Sequence, residues 1–155
     1  MNGPNAGDFA LDPRLAADTA FVADRDLSRV LLMDDARFPW LILVPRRAGM
    51  TELDDLAPGE QGQLLAEINQ AMMMLRNVAP CDKLNVGALG NIVRQLHVHV
   101  VARREGDAAW PGPVWGSGAA VRYEPAARDA LIERLRTASA ALDKPLGIMR
   151  RSSGD

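Results

Sequence analysis

The pattern of hydrophobic and polar positions predicts three short strands in the first third of the chain. Residues 19–23, 28–33 and 40–44 are apolar runs of strand length, separated by charged or turn-forming residues. The run at 40–44 is apolar at every position, which predicts a strand with both faces buried. The short polar connections favour antiparallel pairing between neighbouring strands.

Two longer segments, 58–78 and 125–142, have apolar residues at the spacing of an amphipathic α-helix. A shorter helix is predicted from 13 to 18, because Asp12 can cap its first turn and Pro13 fits the first helical position. The apolar stripes of the two long helices are Leu64, Leu65, Ile68, Ala71, Met72 and Leu75, and Leu131, Leu135, Ala138 and Leu142.

A further strand, at about 92–102, contains both histidines of the chain and follows a predicted strand at 83–88. Side chains alternate between the faces of a strand, so one face here is apolar and the other carries two imidazoles side by side. Imidazoles in this arrangement are typical of metal binding, nucleophilic catalysis or acid–base chemistry. The apolar face carries Leu96, Val98 and Val100, and the other carries Gln95, His97, His99, Val101 and, if the strand extends so far, Arg103.

The order of these elements predicts an α+β fold with an antiparallel sheet, because hairpin-length connections join neighbouring strands. A chain of 155 residues has the length of one domain with a substantial core. We therefore expect a single domain at 11–146, a disordered N-terminus at 1–10 and a disordered tail at 147–155.

Composition restricts the classes of function. A net charge of −2 gives no general field for nucleic acid, so binding of phosphate must be local. Charged residues interrupt every apolar stretch, which predicts no membrane span, and residues 1–8 have no signal-peptide pattern. The single cysteine, Cys81, is typical of a reducing compartment, so we expect a cytoplasmic protein.

The stretch 95–101, Gln-Leu-His-Val-His-Val-Val, resembles the histidine triad motif. That motif is written His-φ-His-φ-His-φ-φ, where φ is an apolar residue, and Gln95 stands in place of its first histidine. The resemblance to the histidine triad (HIT) superfamily covers about residues 28–104, or half of the chain.

The residues before the motif extend this resemblance. Asn85 and Gly87 form an Asn-x-Gly, and a Gly-polar pair, Gly90-Asn91, follows them. Further upstream, residues 43–47 resemble the family's apolar strand that ends in proline and two basic residues.

The resemblance implies a HIT-like protomer that forms a homodimer, binds nucleotides and acts on the α-phosphate. His97 matches the nucleophile of the family, and His99 matches a residue that contacts phosphate. The family's acidic ribose-holding residue matches Asp34 or Asp35, between which the spacing does not decide. Other matches in the site are Asn85, for the family's site asparagine, and Asn91, for a polar residue near the phosphates.

Three positions differ from the family pattern. Gln95 does not titrate near neutral pH, so it can orient a neighbour by hydrogen bonds but cannot shuttle a proton. Ile92 stands where many members have Ser or Thr, and Ala48 where many have histidine after the two basic residues. These differences bear on turnover rate and leaving-group preference more than on nucleotide binding.

The residues can support covalent catalysis without a metal or an organic cofactor. A neutral imidazole nitrogen of His97 can attack phosphorus and give a nucleotidyl-histidine, which water then hydrolyses. The attacking tautomer requires an acceptor, usually a backbone carbonyl, at its other ring nitrogen. His99, when protonated, can donate to a phosphate oxygen. Dinucleoside polyphosphates and nucleoside phosphoramidates are the candidate substrates.

The sequence allows more than one interpretation for several side chains. Arg103 is a candidate phosphate contact or a solvated arginine at the rim of the site. Trp110 and Trp115 lie in a Pro- and Gly-rich loop, where an indole can stack on a base, close a lid or pack in a dimer.

Two rival functions remain at this point. The first is a nucleotide-binding module without turnover, which the changes at Gln95, Ile92 and Ala48 favour. The second is a cupin-type metal protein, in which His97, His99 and Glu105 would bind a metal on a β-barrel, although the predicted helix at 58–78 does not suit an all-β fold.

Overall fold

In the computed structural model, residues 8–144 form a five-stranded sheet with helices packed on it. These are the residues that the structure describes, so the predicted tail at 147–155 and most of the predicted N-terminus at 1–10 lie outside them. The strands are β1 (Thr19–Asp24), β2 (Ser28–Met33), β3 (Trp40–Pro45), β4 (Lys83–Gly87) and β5 (Val98–Arg103), and the helices are α1 (Pro13–Asp18), α2 (Pro58–Val78) and α3 (Pro125–Leu142).

The strands lie in the order β1-β2-β3-β5-β4, and every neighbouring pair is antiparallel. This arrangement confirms the predicted α+β class with an antiparallel sheet. The cupin alternative required a β-barrel, and the open sheet with three helices excludes it. Within residues 8–144, no helix is both long and apolar enough to cross a bilayer.

The sheet separates two apolar layers. On one face, α2 and α3 pack against alternate side chains of β2, β3 and β5. On the other face, Leu15 of α1 and Val114 of the loop after β5 pack with Trp40 and Ile42. Because the side chains of β3 alternate between these layers, all six of its residues are buried, as the continuous apolar run predicts.

The strand that carries the histidines is shorter than predicted. β5 begins at Val98, whereas the pattern predicted a start several residues earlier. Its pairing with β4 ends where Gly87 faces His99, and residues 88–97 form a loop outside the sheet. The predicted alternation still extends to Leu96, because this side chain remains in the layer covered by the helices.

The three helices occupy the predicted segments, but the buried residues of α2 and α3 match the predicted stripes only in part. Leu65 was assigned to the buried stripe and is instead 60% exposed. Glu67, which no apolar pattern selects, is 1% exposed. Its carboxylate accepts hydrogen bonds from the backbone N–H groups of Leu27 (2.8 Å) and Ser28 (2.9 Å), where the β1–β2 connection enters β2. Glu67 therefore fixes α2 to the sheet.

We expect Glu67→Ala to lower the free energy of unfolding by about 3 kcal/mol, because two buried backbone donors lose their acceptor. Glu67→Gln retains one acceptor oxygen, so its loss is smaller, about 1 kcal/mol. Urea denaturation at pH 7 measures both. Glu133→Ala, which removes an exposed carboxylate from α3, is the control and changes stability by less than about 0.5 kcal/mol. Equal losses in all three variants would contradict this role of Glu67.

Candidate active site

His97 lies at the end of the loop before β5, and its ring is held by the backbone of that loop. Nδ1 of His97 is 2.6 Å from the carbonyl oxygen of Gln95. A carbonyl only accepts hydrogen bonds, so Nδ1 carries the proton and donates it. In the neutral ring Nε2 is then the unprotonated nitrogen, and within residues 8–144 it has no hydrogen-bond partner in the protein. His97 therefore has the tautomer that a nucleophile requires.

His99 is held in the opposite tautomer. The indole Nε1–H of Trp40 donates to Nδ1 of His99 at 3.0 Å, so the proton of the neutral ring lies on Nε2. Burial, with a smaller contribution from the neighbouring His97, lowers the pKa of His99 from 6.5 to about 3. The rings of Trp40 and Trp115 each lie 5.5 Å from that of His99, centre to centre. These contacts keep His99 neutral.

A cleft of about 490 Å³ opens beside the two imidazoles, whose ring centres are 4.9 Å apart. This volume lies within the range of small-ligand sites. Within residues 8–144, Arg37 is the one cationic side chain in its lining. The wall is mostly apolar and includes Leu15, Ile42, Leu89, Ile92, Val93 and Trp115.

The side chain of Gln95 points away from the cleft. Its amide donates to the carbonyl of Ala10 at 2.8 Å, and its carbonyl accepts from the N–H of Asp12 at 2.9 Å. Gln95 thus contacts His97 through its backbone oxygen and holds the segment before α1 through its side chain. Asp12 also caps α1, as predicted, by accepting from the N–H of Arg14.

The two acidic residues after β2 lie in different surroundings. Asp34 does not line the cleft, and it accepts from the N–H of Tyr123 (3.0 Å) and from Arg122 (2.9 Å). Asp35 does line the cleft, but it is 1% exposed and paired with Arg37 at 2.7 Å. Although burial raises it, hydrogen bonds from Arg37 and Val121 leave the pKa of Asp35 below its ordinary value.

Arg103 and Asn85 lie together outside the cleft. Arg103 is fully buried, pairs with Asp107 at 2.7 Å and donates to the carbonyl of Gly112 at 2.9 Å. Its remaining nitrogen donates to the side-chain oxygen of Asn85 at 2.8 Å. Arg103 is therefore neither a solvated rim arginine nor a side chain free to contact phosphate, and it fixes the loop that carries Trp115.

Of the loop residues near the histidines, some line the cleft and others lie outside it. Asn91 and Ile92 line the cleft, and Ile92 is 79% exposed. Trp115 lines the cleft and covers His99, whereas Trp110 lies outside it over the guanidinium of Arg103.

The ring of Trp115 also lies directly on the backbone of β4. A Cβ added to Gly87 would come within 3.0 Å of the six-membered ring of Trp115. This distance is tighter than nine in ten real Cβ contacts, so a side chain at residue 87 would require the indole to shift by a few tenths of an ångström, and glycine lets it lie in its present position beside His99.

Sequence analysis missed the roles that three residues, Trp40, Trp115 and Arg37, have in the site. Trp40 was assigned to the core, where it does lie, but its Nε1–H also sets the tautomer of His99. The only sequence feature that marks it is an indole, with its one donor, in an otherwise aliphatic run. The contact of Trp115 with His99 joins separate segments and has no local sequence pattern. Arg37, in contrast, pairs with Asp35 only two residues away, so the Asp-x-Arg sequence was an available signal.

Comparison with solved structures identifies relatives over most of the chain. A histidine triad (HIT) protein from Sinorhizobium meliloti 1021 is 45% identical, with a TM-score of 0.84, over 86% of this chain and 99% of that one. A histidine triad protein from Bradyrhizobium japonicum is 46% identical, with a TM-score of 0.81, over 84% of this chain and 97% of that one.

A curated relative matches a shorter part of the sequence. The AP-4-A phosphorylase of Mycobacterium tuberculosis is 37% identical over 83 residues, which are 50% of this chain and 42% of that protein. The match thus spans about two fifths of the curated relative. The family model of the HIT domain matches residues 14–106. On this match and on the relatives that cover the chain, the protein belongs to the HIT domain family.

Proposed function

We propose that the protein is a nucleotide hydrolase or nucleotidyl transferase that acts through a covalent nucleotidyl-His97 intermediate. Its substrate is a dinucleoside polyphosphate or a nucleoside phosphoramidate, attacked at the α-phosphate. The observation that carries this proposal is the hydrogen bond from Nδ1 of His97 to the carbonyl of Gln95, which leaves Nε2 as a free nucleophile beside a cleft of nucleotide size.

The reaction has two steps. In the first, the lone pair of Nε2 of His97 forms a bond to phosphorus, while the bond from phosphorus to the leaving group breaks and the leaving group takes up a proton from solvent. In the second, the oxygen of water or of an acceptor such as phosphate attacks phosphorus, the P–N bond breaks with its electron pair returning to Nε2, and His97 regains its neutral form, while an attacking water releases its proton to solvent. The backbone of Gln95 stabilises the ring in both steps, because it accepts the Nδ1–H of the neutral and of the substituted imidazole alike.

His99 contributes as a neutral donor in this proposal. Its Nε2–H can donate to a non-bridging oxygen of the α-phosphate, where negative charge develops during attack. This differs from the donation by a protonated imidazole that the motif suggested. A proton on Nδ1 of His99 would face the N–H of Trp40, so protonation would break that hydrogen bond.

Most of the groups that would bind the phosphates in this cleft are neutral. Arg37, the cation in the lining, is already paired with Asp35. The side chain of Asn91, which faces the cleft and has no hydrogen-bond partner within residues 8–144, is the further donor that we assign to the phosphates. Arg103 and Asn85 act indirectly, by holding the loop of Trp115.

We assign Gln95 a positioning role. Its backbone orients His97, and its side chain ties α1, which supplies Leu15 to the cleft, to the same loop. Because this carboxamide cannot transfer a proton, the leaving group must depart with a proton from solvent, and the rate for a poor leaving group falls. A nucleotide-binding module without turnover is therefore the second candidate function.

We also propose that the protein acts as a homodimer. β4 is an edge strand, and Val86 on it and Leu89 and Ile92 after it are exposed. Apolar side chains beside an open sheet edge are typical of an association surface. The resemblance of the chain to dimeric HIT proteins supports the same assignment.

Turnover of adenosine phosphoramidate and of diadenosine tetraphosphate tests the catalytic proposal. We expect both to release adenosine monophosphate, and His97→Ala to lower kcat/KM by about 10⁴-fold or more, because the nucleophile is lost. Intact-mass measurement after a denaturing quench at alkaline pH, where the P–N bond is stable, should detect a nucleotidyl adduct in the wild type only. The exposed Asn69→Ala on α2 is the control and should retain full activity.

Saturable binding of adenosine monophosphate without turnover of either substrate would favour the binding module. Unchanged turnover in His97→Ala would exclude His97 as the nucleophile. Loss of activity in EDTA would also contradict the proposal, since no step uses a metal. Within residues 8–144, no group of three His, Cys, Asp or Glu side chains could hold a metal ion.

The low pKa of His99 predicts a loss of stability in mild acid. The unfolded chain binds a proton at this histidine near pH 6.5, whereas the folded protein does not until about pH 3. Stability is thus complete above pH 6.5 and falls as pH decreases towards 3. We expect the free energy of unfolding to drop by about 2 kcal/mol between pH 6.5 and 4.5, measured by urea denaturation.

His99→Asn is the matched variant, because its carboxamide oxygen can still accept from Trp40 but does not titrate. We expect the variant to lose less stability than the wild type over this pH range, by about the same 2 kcal/mol. Identical pH profiles for the two proteins would show that His99 is not held neutral.

Light scattering after size exclusion tests the dimer. We expect a mass of twice the chain for the wild type, and a monomer for Val86→Glu, because a charge at the edge strand opposes association. Leu65→Glu places the same charge on an exposed position of α2 and should leave the dimer intact. A monomeric wild type would exclude the proposal.

A further inference from the structure

One buried donor beside the two histidines has no acceptor in the protein. The indole nitrogen Nε1 of Trp115 is excluded from solvent and, within residues 8–144, has no hydrogen-bond partner. A buried N–H without an acceptor costs free energy, so its presence in a folded protein requires an explanation. Trp115 also lines the cleft. The unpaired donor therefore belongs to a side chain that a ligand can contact.

This combination distinguishes Trp115 from the other unpaired groups. Among residues 8–144, the other buried side-chain atoms without a partner are Oγ of Ser28, at the start of β2, and Nε of Arg46, directly after β3. Neither Ser28 nor Arg46 lines the cleft. In the part of the chain that the structure describes, Trp115 alone joins an unpaired buried donor to a place in the cleft wall.

The other two tryptophans use their indoles differently. Nε1 of Trp40 already donates to Nδ1 of His99 at 3.0 Å. Trp110 lies outside the cleft and is 37% exposed. Of the three indole N–H groups in the chain, that of Trp115 is therefore the one that is both beside the cleft and available for a new acceptor.

The backbone on both sides of Trp115 is fixed. Val114 is 3% exposed and packs in the apolar layer on the cleft side of the sheet. Its carbonyl accepts from the N–H of Ser117 at 3.1 Å and from the hydroxyl of that residue at 2.7 Å. Arg37 donates to the carbonyl of Ser117 at 3.1 Å. A movement that uncovers Nε1 is therefore a rotation about the side-chain bonds of Trp115, without opening of the loop.

The indole lies against the imidazole that binds phosphate in the proposed function. The ring centres of Trp115 and His99 are 5.5 Å apart, and their planes meet at 72°. Because Nδ1 of His99 accepts from Trp40, the neutral imidazole offers a ligand its Nε2–H. Both rings line the same cleft, so a phosphate bound to this N–H occupies the part of the cleft beside the indole.

We propose that the indole N–H of Trp115 donates to a phosphate oxygen of the bound nucleotide, next to the oxygen that His99 binds. The inference rests on the proposed function for the identity of the ligand. The indole must rotate to make this contact, because Nε1 is covered in the structure. Hydrogen bonds to charged acceptors are the stronger ones, so a phosphate oxygen offsets this movement better than a neutral acceptor. Trp115 is thus a phosphate-binding residue outside the histidine motif.

The indole N–H resonances test this contact directly, because the chain has only three tryptophans. In proton–nitrogen correlation spectra, we expect saturating adenosine monophosphate to move the Trp115 indole proton downfield, as a hydrogen bond to an anion does. Adenosine, which has no phosphate, should move it much less. The resonance of Trp40, which keeps its bond to His99, should move less than that of Trp115. A Trp115 resonance that does not move, or that moves equally with adenosine, would overturn the proposal.

Trp115→Phe retains an aromatic ring beside His99 but lacks the donor. We expect calorimetry to show about tenfold weaker binding of adenosine monophosphate, because a hydrogen bond to a charged group is lost. Binding of adenosine should stay within about twofold of the wild type. Trp110→Phe makes the same substitution outside the cleft and should leave both dissociation constants unchanged. Equal weakening for the two ligands would assign Trp115 a packing role and overturn the proposal, as would unchanged binding of the nucleotide.

These measurements separate the inference from the proposed function. A downfield shift of the Trp115 resonance without turnover of adenosine phosphoramidate would support the contact and refute the catalytic proposal. Turnover with an unchanged resonance at saturation would do the reverse. If adenosine monophosphate does not bind, both are refuted. If adenosine does not bind, or if Trp115→Phe does not fold, the response of the assigned wild-type resonance to the nucleotide decides.

Discussion

A strand that is apolar on both faces must be covered on both faces, and β3 imposes this constraint on the protein. Six consecutive buried residues at the centre of the sheet cannot lie against water, since the hydrophobic stabilisation of the fold depends on removing them from it. Helices α2 and α3 cover one face. On the other, α1 and the loop of Trp115 converge, and the imidazole of His99 on the neighbouring strand is enclosed beneath them.

Because the imidazoles lie in this apolar layer, the groups that face the cleft beside them are mostly neutral. Charged forms are disfavoured in an apolar layer, so burial keeps His99 neutral. Trp40 and the carbonyl of Gln95 select opposite tautomers, one on each ring. In the proposed mechanism, the pair thus provides one nitrogen that attacks and one N–H that donates. The charged residues nearby, Arg103 and Asp35 among them, are used for structure.

Sequence patterns predicted what depends on local periodicity and on the motif. The alternation of β5, the limits of α2 and the apolar run of β3 all follow from spacing, and the structure has them. Patterns could not predict Glu67, because a carboxylate is buried only when donors from another segment reach it. The same holds for Arg103 and Asp35, whose partners lie in loops that no periodicity describes. The residue types of Arg103 and Asp35 suggested contacts with a ligand. In the structure, however, their hydrogen bonds are made to other parts of the chain.

The contact between Gly87 and Trp115 has a consequence for how the sequence can diverge. The indole occupies the space in which a side chain at residue 87 would lie, so neither position can change freely while the other stays the same. An alanine at 87 requires only a small shift of the indole, but a larger residue there favours a smaller one at 115, which would leave His99 accessible to water. Covariation of these two positions among related sequences would therefore distinguish lineages in which His99 is shielded from water from lineages in which it is hydrated.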